Sequence, residues 1–186
     1  MSHHIRPPTN RQLLLIIDVQ ERLFPAMDPL QKDRLLANLV RLGAARDVLG
    51  FPVLMTEQYP EGLGATVPEV RAAFAETKAF PKLSFAASED PGINTALREL
   101  APARVVVTGM ETHICVFQTV RDLRSSGHEV WVLSDAVASR TRDNFDVGLE
   151  LARGCGAVVA STEAFLFDLL GQAGSPEFKQ ISKLVR

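Results

Sequence analysis

Cys115, Asp18 and Lys82 are the side chains whose types and placement suit them to covalent chemistry. Cys115 follows an apolar run that reaches Gly109, and it sits at the start of a helical pattern. A thiol there meets the positive end of a helix dipole, which favours thiolate. Free thiol, with a pKa of ~8.5, is mostly protonated at neutral pH, so a nucleophile needs such help or an adjacent base. Taken alone, Cys115 also fits the role most unpaired cysteines have, a small buried hydrophobe. Cys155 lies between Gly154 and Gly156 with no acid or base nearby, and reads as a packing residue. Asp18 closes the first apolar run, where an acid either serves a site or caps the next segment. Lys82, in Phe80-Pro81-Lys82, reads in isolation as a solvated surface lysine and gains meaning only as partner to an acid and a thiol.

Three competing chemistries fail on the residues. An aspartyl-nucleophile phosphatase wants a second Asp two positions on, where Gln20 stands. A dinucleotide fold wants a glycine-rich turn after the first strand, and Val19 to Phe24 holds no glycine. Cys115 and Arg121 have the C-x5-R spacing of cysteine phosphatases, but the residues between them form a helical apolar pattern rather than a phosphate-cradling loop.

The elements that must position these residues alternate along the chain. Arg11–Asp18, Phe51–Thr56, Arg104–Gly109, Glu129–Asp135 and Gly156–Ser161 read as buried strands. Gln31–Leu49 has helical spacing and ends at Gly50, a C-terminal cap. Further helices are expected at Ser88–Leu100 (capped by Ser88 or Asp90), His113–Ser126, Asp143–Arg153 and from Thr162 onward, with a short one starting within Pro68–Phe74. The alternation predicts an α/β fold, a three-layer α/β/α sandwich around a mainly parallel, Rossmann-like sheet. Ligands in such sheets bind at the carboxyl ends of strands, where Asp18, Glu57, Gly109–Cys115 and Asp135 fall.

Length and composition set the frame. The 186 residues suit one domain, 1–186, with 1–10 as a flexible lead-in that includes His3 and His4. A net charge of −2 gives no basic footprint for nucleic acid. The longest aliphatic run, Leu13–Ile17, has five residues, too few to span a membrane. No signal-peptide pattern opens the chain, and two cysteines are too few for a disulfide framework, which together predict a cytoplasmic protein.

Three segments taken together resemble a known family: Ile16-Ile17-Asp18-Val19-Gln20, Lys82-Leu83-Ser84-Phe85, and Thr108-Gly109-Met110-Glu111-Thr112-His113-Ile114-Cys115-Val116. They are similar to the isochorismatase-like cysteine hydrolases over almost the whole chain. Glu57-Gln58-Tyr59-Pro60, Gly62-Leu63-Gly64 and Pro176-Glu177-Phe178-Lys179 resemble its isochorismatase domain-containing protein branch.

The resemblance implies an Asp18–Lys82–Cys115 triad: Asp18 as base, Lys82 as its charged partner, and Cys115 attacking an amide-like carbonyl to give a thioester. It also implies a cis peptide at Met110–Glu111, turning N–H groups near Ile114 and Cys115 toward the oxyanion. Gln20, Phe24, Tyr59, Thr112, His113 and Phe117 are expected to line the substrate pocket, with Tyr59 and Phe117 equally suited to the core and His113 to an exposed helix start. Nicotinamidases of the family bind a metal through an Asp-x-His pair and a further histidine after the second strand. Thr56-Glu57-Gln58-Tyr59-Pro60 has no histidine, so no metal and no cofactor is expected. The implied partners are a small-molecule substrate (an amide, carbamoyl or related compound) and further copies of the chain in a dimer or tetramer. The alternative is a non-catalytic oligomeric scaffold, which has no need of the three residues together.

Overall fold

The computed structural model describes residues 7–185; His3 and His4 lie outside them. Within the expected lead-in, Pro7 is buried and Thr9–Arg11 form a 3-10 turn.

Six strands form one parallel sheet in the order β3-β2-β1-β4-β5-β6. They are β1 (Gln12–Ile17), β2 (Val53–Gln58), β3 (Ala79–Lys82), β4 (Arg104–Met110), β5 (Glu129–Ala138) and β6 (Val158–Ala160). The helices are α1 (Pro29–Leu49), α2 (Pro60–Leu63), α3 (Pro68–Ala73), α4 (Pro91–Leu100), α5 (Phe117–Ser125), α6 (Arg142–Gly154), α7 (Thr162–Leu170) and α8 (Pro176–Leu184). The three-layer α/β/α architecture agrees with the sequence reading.

Alternation along the central strands builds a core on each side. Leu14 and Ile16 of β1 join Leu35, Leu39 and Leu42 of α1, Phe165 and Leu166 of α7, and Ile181 of α8. Leu13, Leu15 and Ile17 join Ile93 and Leu97 of α4, Val116, Val120 and Leu123 beside α5, and Phe145 and Leu149 of α6. Caps fix several helix starts: Asp28 accepts from Gln31 N, Asp90 from Gly92 N and Ile93 N, and Ser161 from Ala164 N. Gly50, at φ 74°, ends α1 as expected.

Three elements are not legible in the sequence: β3, α8 and the one-turn α2, which lies in a Gly- and Pro-punctuated stretch that reads as loop. β3 has four residues, one of them Pro81, and carries none of the β-branched pattern that marks the central strands. Proline is tolerated there because β3 is an edge strand. The segment α8 is held by Ser175, which accepts from Phe178 N, and by Ile181 in the α1-side core.

Strand order reverses about β1: β2 and β3 lie to one side, β4 to β6 to the other. The crevice at the carboxyl ends of β1 and β4 is therefore the switch point of the sheet. Gly109 permits this junction, because a Cβ on it would lie 2.0 Å from the Ile17 carbonyl oxygen.

Candidate active site

Asp18 leaves β1 with φ 54°, a left-handed conformation uncommon for a non-glycine residue. Its side chain is fully buried, and Oδ1 accepts from Thr56 Oγ1 at 2.7 Å. Lys82 ends β3 two strands away, also with a fully buried side chain, and its Nζ lies 2.7 Å from Asp18 Oδ2. That approach is an ion-pair contact without hydrogen-bond alignment. The aligned acceptors around the ammonium are Gln58 Oε1 at 2.6 Å, Ser84 O at 3.0 Å and Phe85 O at 3.2 Å.

Cys115 reaches the same place from β4. The Met110–Glu111 peptide is cis, and Thr112–Val116 make a π-helical turn before α5. The sequence pattern predicts a single continuous helix from His113; instead the Glu111 carbonyl accepts from both Ile114 N (3.0 Å) and Val116 N (3.2 Å), opening the first turn. Thr119 Oγ1 donates to Cys115 O and accepts from Ala87 N, pinning the turn to the loop after β3. Gly148 of α6 lies against the Thr112–His113 backbone, where an added Cβ would meet His113 N at 2.7 Å. Cys115 is buried, close enough to Asp18 and Lys82 to feel the charge of both.

The electrostatics differ from the helix-dipole expectation. Burial, and then the charge of Asp18, push the Cys115 thiol up to about 12, with Lys82 pulling the other way. At that value the resting thiol holds its proton at neutral pH, because burial and the neighbouring carboxylate both disfavour the thiolate. Burial likewise raises the Asp18 carboxyl above its ordinary range, opposed by Lys82, Thr56 and Cys115. Acid, thiol and buried cation thus form one compact set in which a proton has two places to reside.

The isochorismatase domain matches residues 12–164. The chain belongs to the isochorismatase family. A secreted isochorismatase effector of Phytophthora sojae is 37% identical over 179 residues, 94% of this chain and 84% of that protein. Isochorismatase domain-containing protein 2 of Danio rerio is 35% identical over 181 residues, 97% of this chain and 89% of that one. Among solved structures, the MAR1 ribonuclease from Caenorhabditis elegans superposes with a TM-score of 0.89 at 31% identity, covering 97% and 92% of the two chains.

The isochorismatase fold brings some of the sequence-selected residues together and gives others different work. Gln20 is buried, its Nε2 donates to Gln58 O and Gly64 O, and its Oε1 accepts from Gln58 N. These bonds clamp the turn after β2. The Ile114 N–H donates to Glu111 O at 3.0 Å. Phe24 packs against the α1-side core with Lys32 over its ring. Thr112 is buried with Oγ1 unpartnered, and half-buried His113 places Nδ1 3.0 Å from Ser139 Oγ. Burial lowers the His113 pKa. Glu111 accepts from Arg140 N and Nε. Phe117 is half-buried, with the Arg121 guanidinium 5.8 Å from its ring centroid; Arg121 is exposed and bound to Asp122, as expected of a surface residue.

Tyr59, half exposed at φ 37°, borders a cleft of about 580 Å3 beside β3 with Pro81, Lys82, Leu83, Ser84 and Pro91. Gly62 leaves room for its ring, since a Cβ there would lie 2.3 Å from Tyr59 Cδ1. Lys82 borders the cleft, whereas Asp18 and Cys115 are buried and do not line it. Glu57 is bound by Thr66 N, Thr66 Oγ1 and Arg71. Among the described residues, no three His, Cys, Asp or Glu side chains converge as a metal set. Thr56 and Gln58 are site residues that sequence reading missed. Their signal is register: Ile17 pairs with Thr56, and Gln58 with Lys82.

Proposed function

We propose that this isochorismatase-family protein is a cysteine hydrolase of a small amide, carbamoyl or related substrate, working through a thioester without a metal or cofactor. The observation that carries this reading is the fully buried Lys82–Asp18 pair beside the Cys115 thiol. Burying a charged pair is costly unless it serves a purpose, and here it stands next to the one nucleophile at the switch point.

Asp18 takes the Cys115 proton as Sγ bonds to the substrate carbonyl carbon. Lys82 then faces the new negative charge in place of the carboxylate. In this reading the oxyanion meets the backbone amide of Cys115, since those of Ile114 and Val116 are engaged by Glu111 O. The amine leaves with the proton from Asp18 as the C–N bond breaks. Water then attacks the thioester and gives a proton to Asp18; the C–S bond breaks, and the returning proton restores the thiol. Tyr59, Thr112, His113 and Phe117 are the pocket residues of this reading.

The same reading places the protein in the cytoplasm as a dimer or tetramer. Both cysteines are free thiols, and among the described residues no helix is long and apolar enough to cross a membrane. A second reading, nuclease activity, takes its support from the name of the Caenorhabditis elegans structure. The buried nucleophile and the net charge of −2 favour a small substrate over RNA.

The test is a panel of small amides and carbamoyl compounds beside single-stranded RNA, with Cys115→Ala as control. Turnover of a small compound, abolished in Cys115→Ala and accompanied by an acyl adduct on Cys115 in the intact mass, is expected. RNA cleavage that survives Cys115→Ala would replace this reading with the second.

A further inference from the structure

We infer that Gln58 is the positioning residue of Lys82, holding the ammonium where it can change partners from the Asp18 carboxylate to the Cys115 thiolate. The inference rests on the triad proposed above and assigns a role to a residue outside it.

Gln58 ends β2 and pairs in register with Lys82 at the end of β3, so the two residues stand side by side on neighbouring strands. Its Oε1 accepts from Lys82 Nζ at 2.6 Å, while its Nε2 donates to Leu83 O at 2.8 Å. Those two contacts fix which way the carboxamide faces: turned over, it would set an NH2 group against an ammonium and an oxygen against a carbonyl. The backbone of Gln58 is itself held, since its N–H donates to Gln20 Oε1 and its carbonyl accepts from Gln20 Nε2. Tyr59 N donates to Lys82 O across the same strand ends.

An ammonium has three N–H bonds, and here the three aligned acceptors are all neutral: Gln58 Oε1, Ser84 O and Phe85 O. The carboxylate of Asp18 supplies charge at 2.7 Å without taking an aligned proton. This division of labour suits the reaction. When Asp18 accepts the thiol proton and becomes neutral, the three hydrogen bonds of Lys82 need not be broken or replaced. The cation stays in place without water and faces the thiolate as its new counter-charge. Of the three acceptors, Gln58 contributes the only side chain, so it is the one that substitution can remove.

The experiment follows the pH–rate profile of iodoacetamide alkylation at Cys115, with Cys155 as internal reference, in substrate-free wild type, Gln58→Met, Gln58→Glu and Lys82→Met. Loss of one hydrogen bond to a charged group corresponds to about ten- to a hundredfold. Gln58→Met is therefore expected to slow Cys115 by at least about tenfold, with Cys155 unchanged. Should Gln58→Met fail to fold, Gln58→Glu keeps an oxygen at Nζ but adds a second anion to it, and is expected to start the rise of the profile at higher pH. A residue acting only on the fold would move neither the profile nor its midpoint. If Lys82→Met slows Cys115 while the two Gln58 variants superimpose on wild type, this inference is overturned and the triad stands. If Lys82→Met also superimposes on wild type, the triad reading falls and this one with it.

Discussion

Two buried cations lie at opposite ends of the same sheet, and they are built for opposite purposes. At the amino ends, Arg104 opens β4 and binds Glu129, Asp168 and Gln12 Oε1, with its guanidinium 4.1 Å from the centroid of Trp131. Both of its carboxylates remain about a third exposed, at 29% and 33%, so water shares in their solvation. At the carboxyl ends, Lys82 and Asp18 are both wholly buried, and burial raises the pKa of the acid. Two partly solvated acids around a planar cation, one bonded at Nε and the other at Nη1, make a fixed clamp between β4, β5 and α7. One dry acid between a lysine and a thiol makes a place where a proton can move. Burial and the neighbouring thiol, rather than shared water, surround the second acid, and that difference separates a structural ion cluster from a reactive one.

The comparison is broken most directly by replacing each cation with methionine. Lys82→Met leaves a buried carboxylate without its partner, and is expected to cost about 3–5 kcal/mol of folding free energy at neutral pH together with the reactivity of Cys115. Arg104→Met leaves acids that water already reaches; it is expected to cost about 1–3 kcal/mol and to leave Cys115 alkylation unchanged. Urea unfolding with alkylation of the two variants checks both numbers. Equal loss of Cys115 reactivity in the two would mean that the carboxyl-end pair has no special role.

A smaller effect sharpens the account of the thiol. The folded thiol, at about 12, ionises less readily than in the unfolded chain. The stabilisation is therefore fully present below the ordinary thiol range and is lost as pH rises through the folded value. Over that window wild type should lose stability by up to about 1.4 kcal/mol per pH unit relative to Cys115→Ala. Unfolding curves of the two at pH 8 and 10 measure it, and parallel behaviour would contradict a buried, protonated thiol.

How much of this is legible in the chain depends on which interactions are local. The central strands and α1 carry their own pattern, because strands buried on both faces read as continuous apolar runs and Gly50 ends α1 where a left-handed residue is needed. Asp18 and Cys115 follow such strands, and that position in the sequence is enough to assign them to the switch point. Lys82 cannot be placed by pattern, since β3 is short, holds Pro81 and has no hydrophobic alternation; only the family resemblance singles it out. Thr56 and Gln58 depend on register between strands that are distant in sequence. Gln20 reads as a pocket residue because it stands in the Asp18 motif, but its carboxamide faces inward to hold the turn after β2.

The most direct test of the central claim, that Asp18 draws the proton from a resting thiol, is the shape of the Cys115 alkylation profile in wild type and Asp18→Asn. In wild type the rate should exceed that of Cys155 and level off across neutral pH once Asp18 has ionised, because the reactive form arises by proton transfer within the pair. In Asp18→Asn that plateau should vanish, and the rate should climb about tenfold per pH unit as a lone thiol titrates. Profiles of the same shape in both proteins, or a wild-type Cys115 no faster than Cys155, would contradict the account.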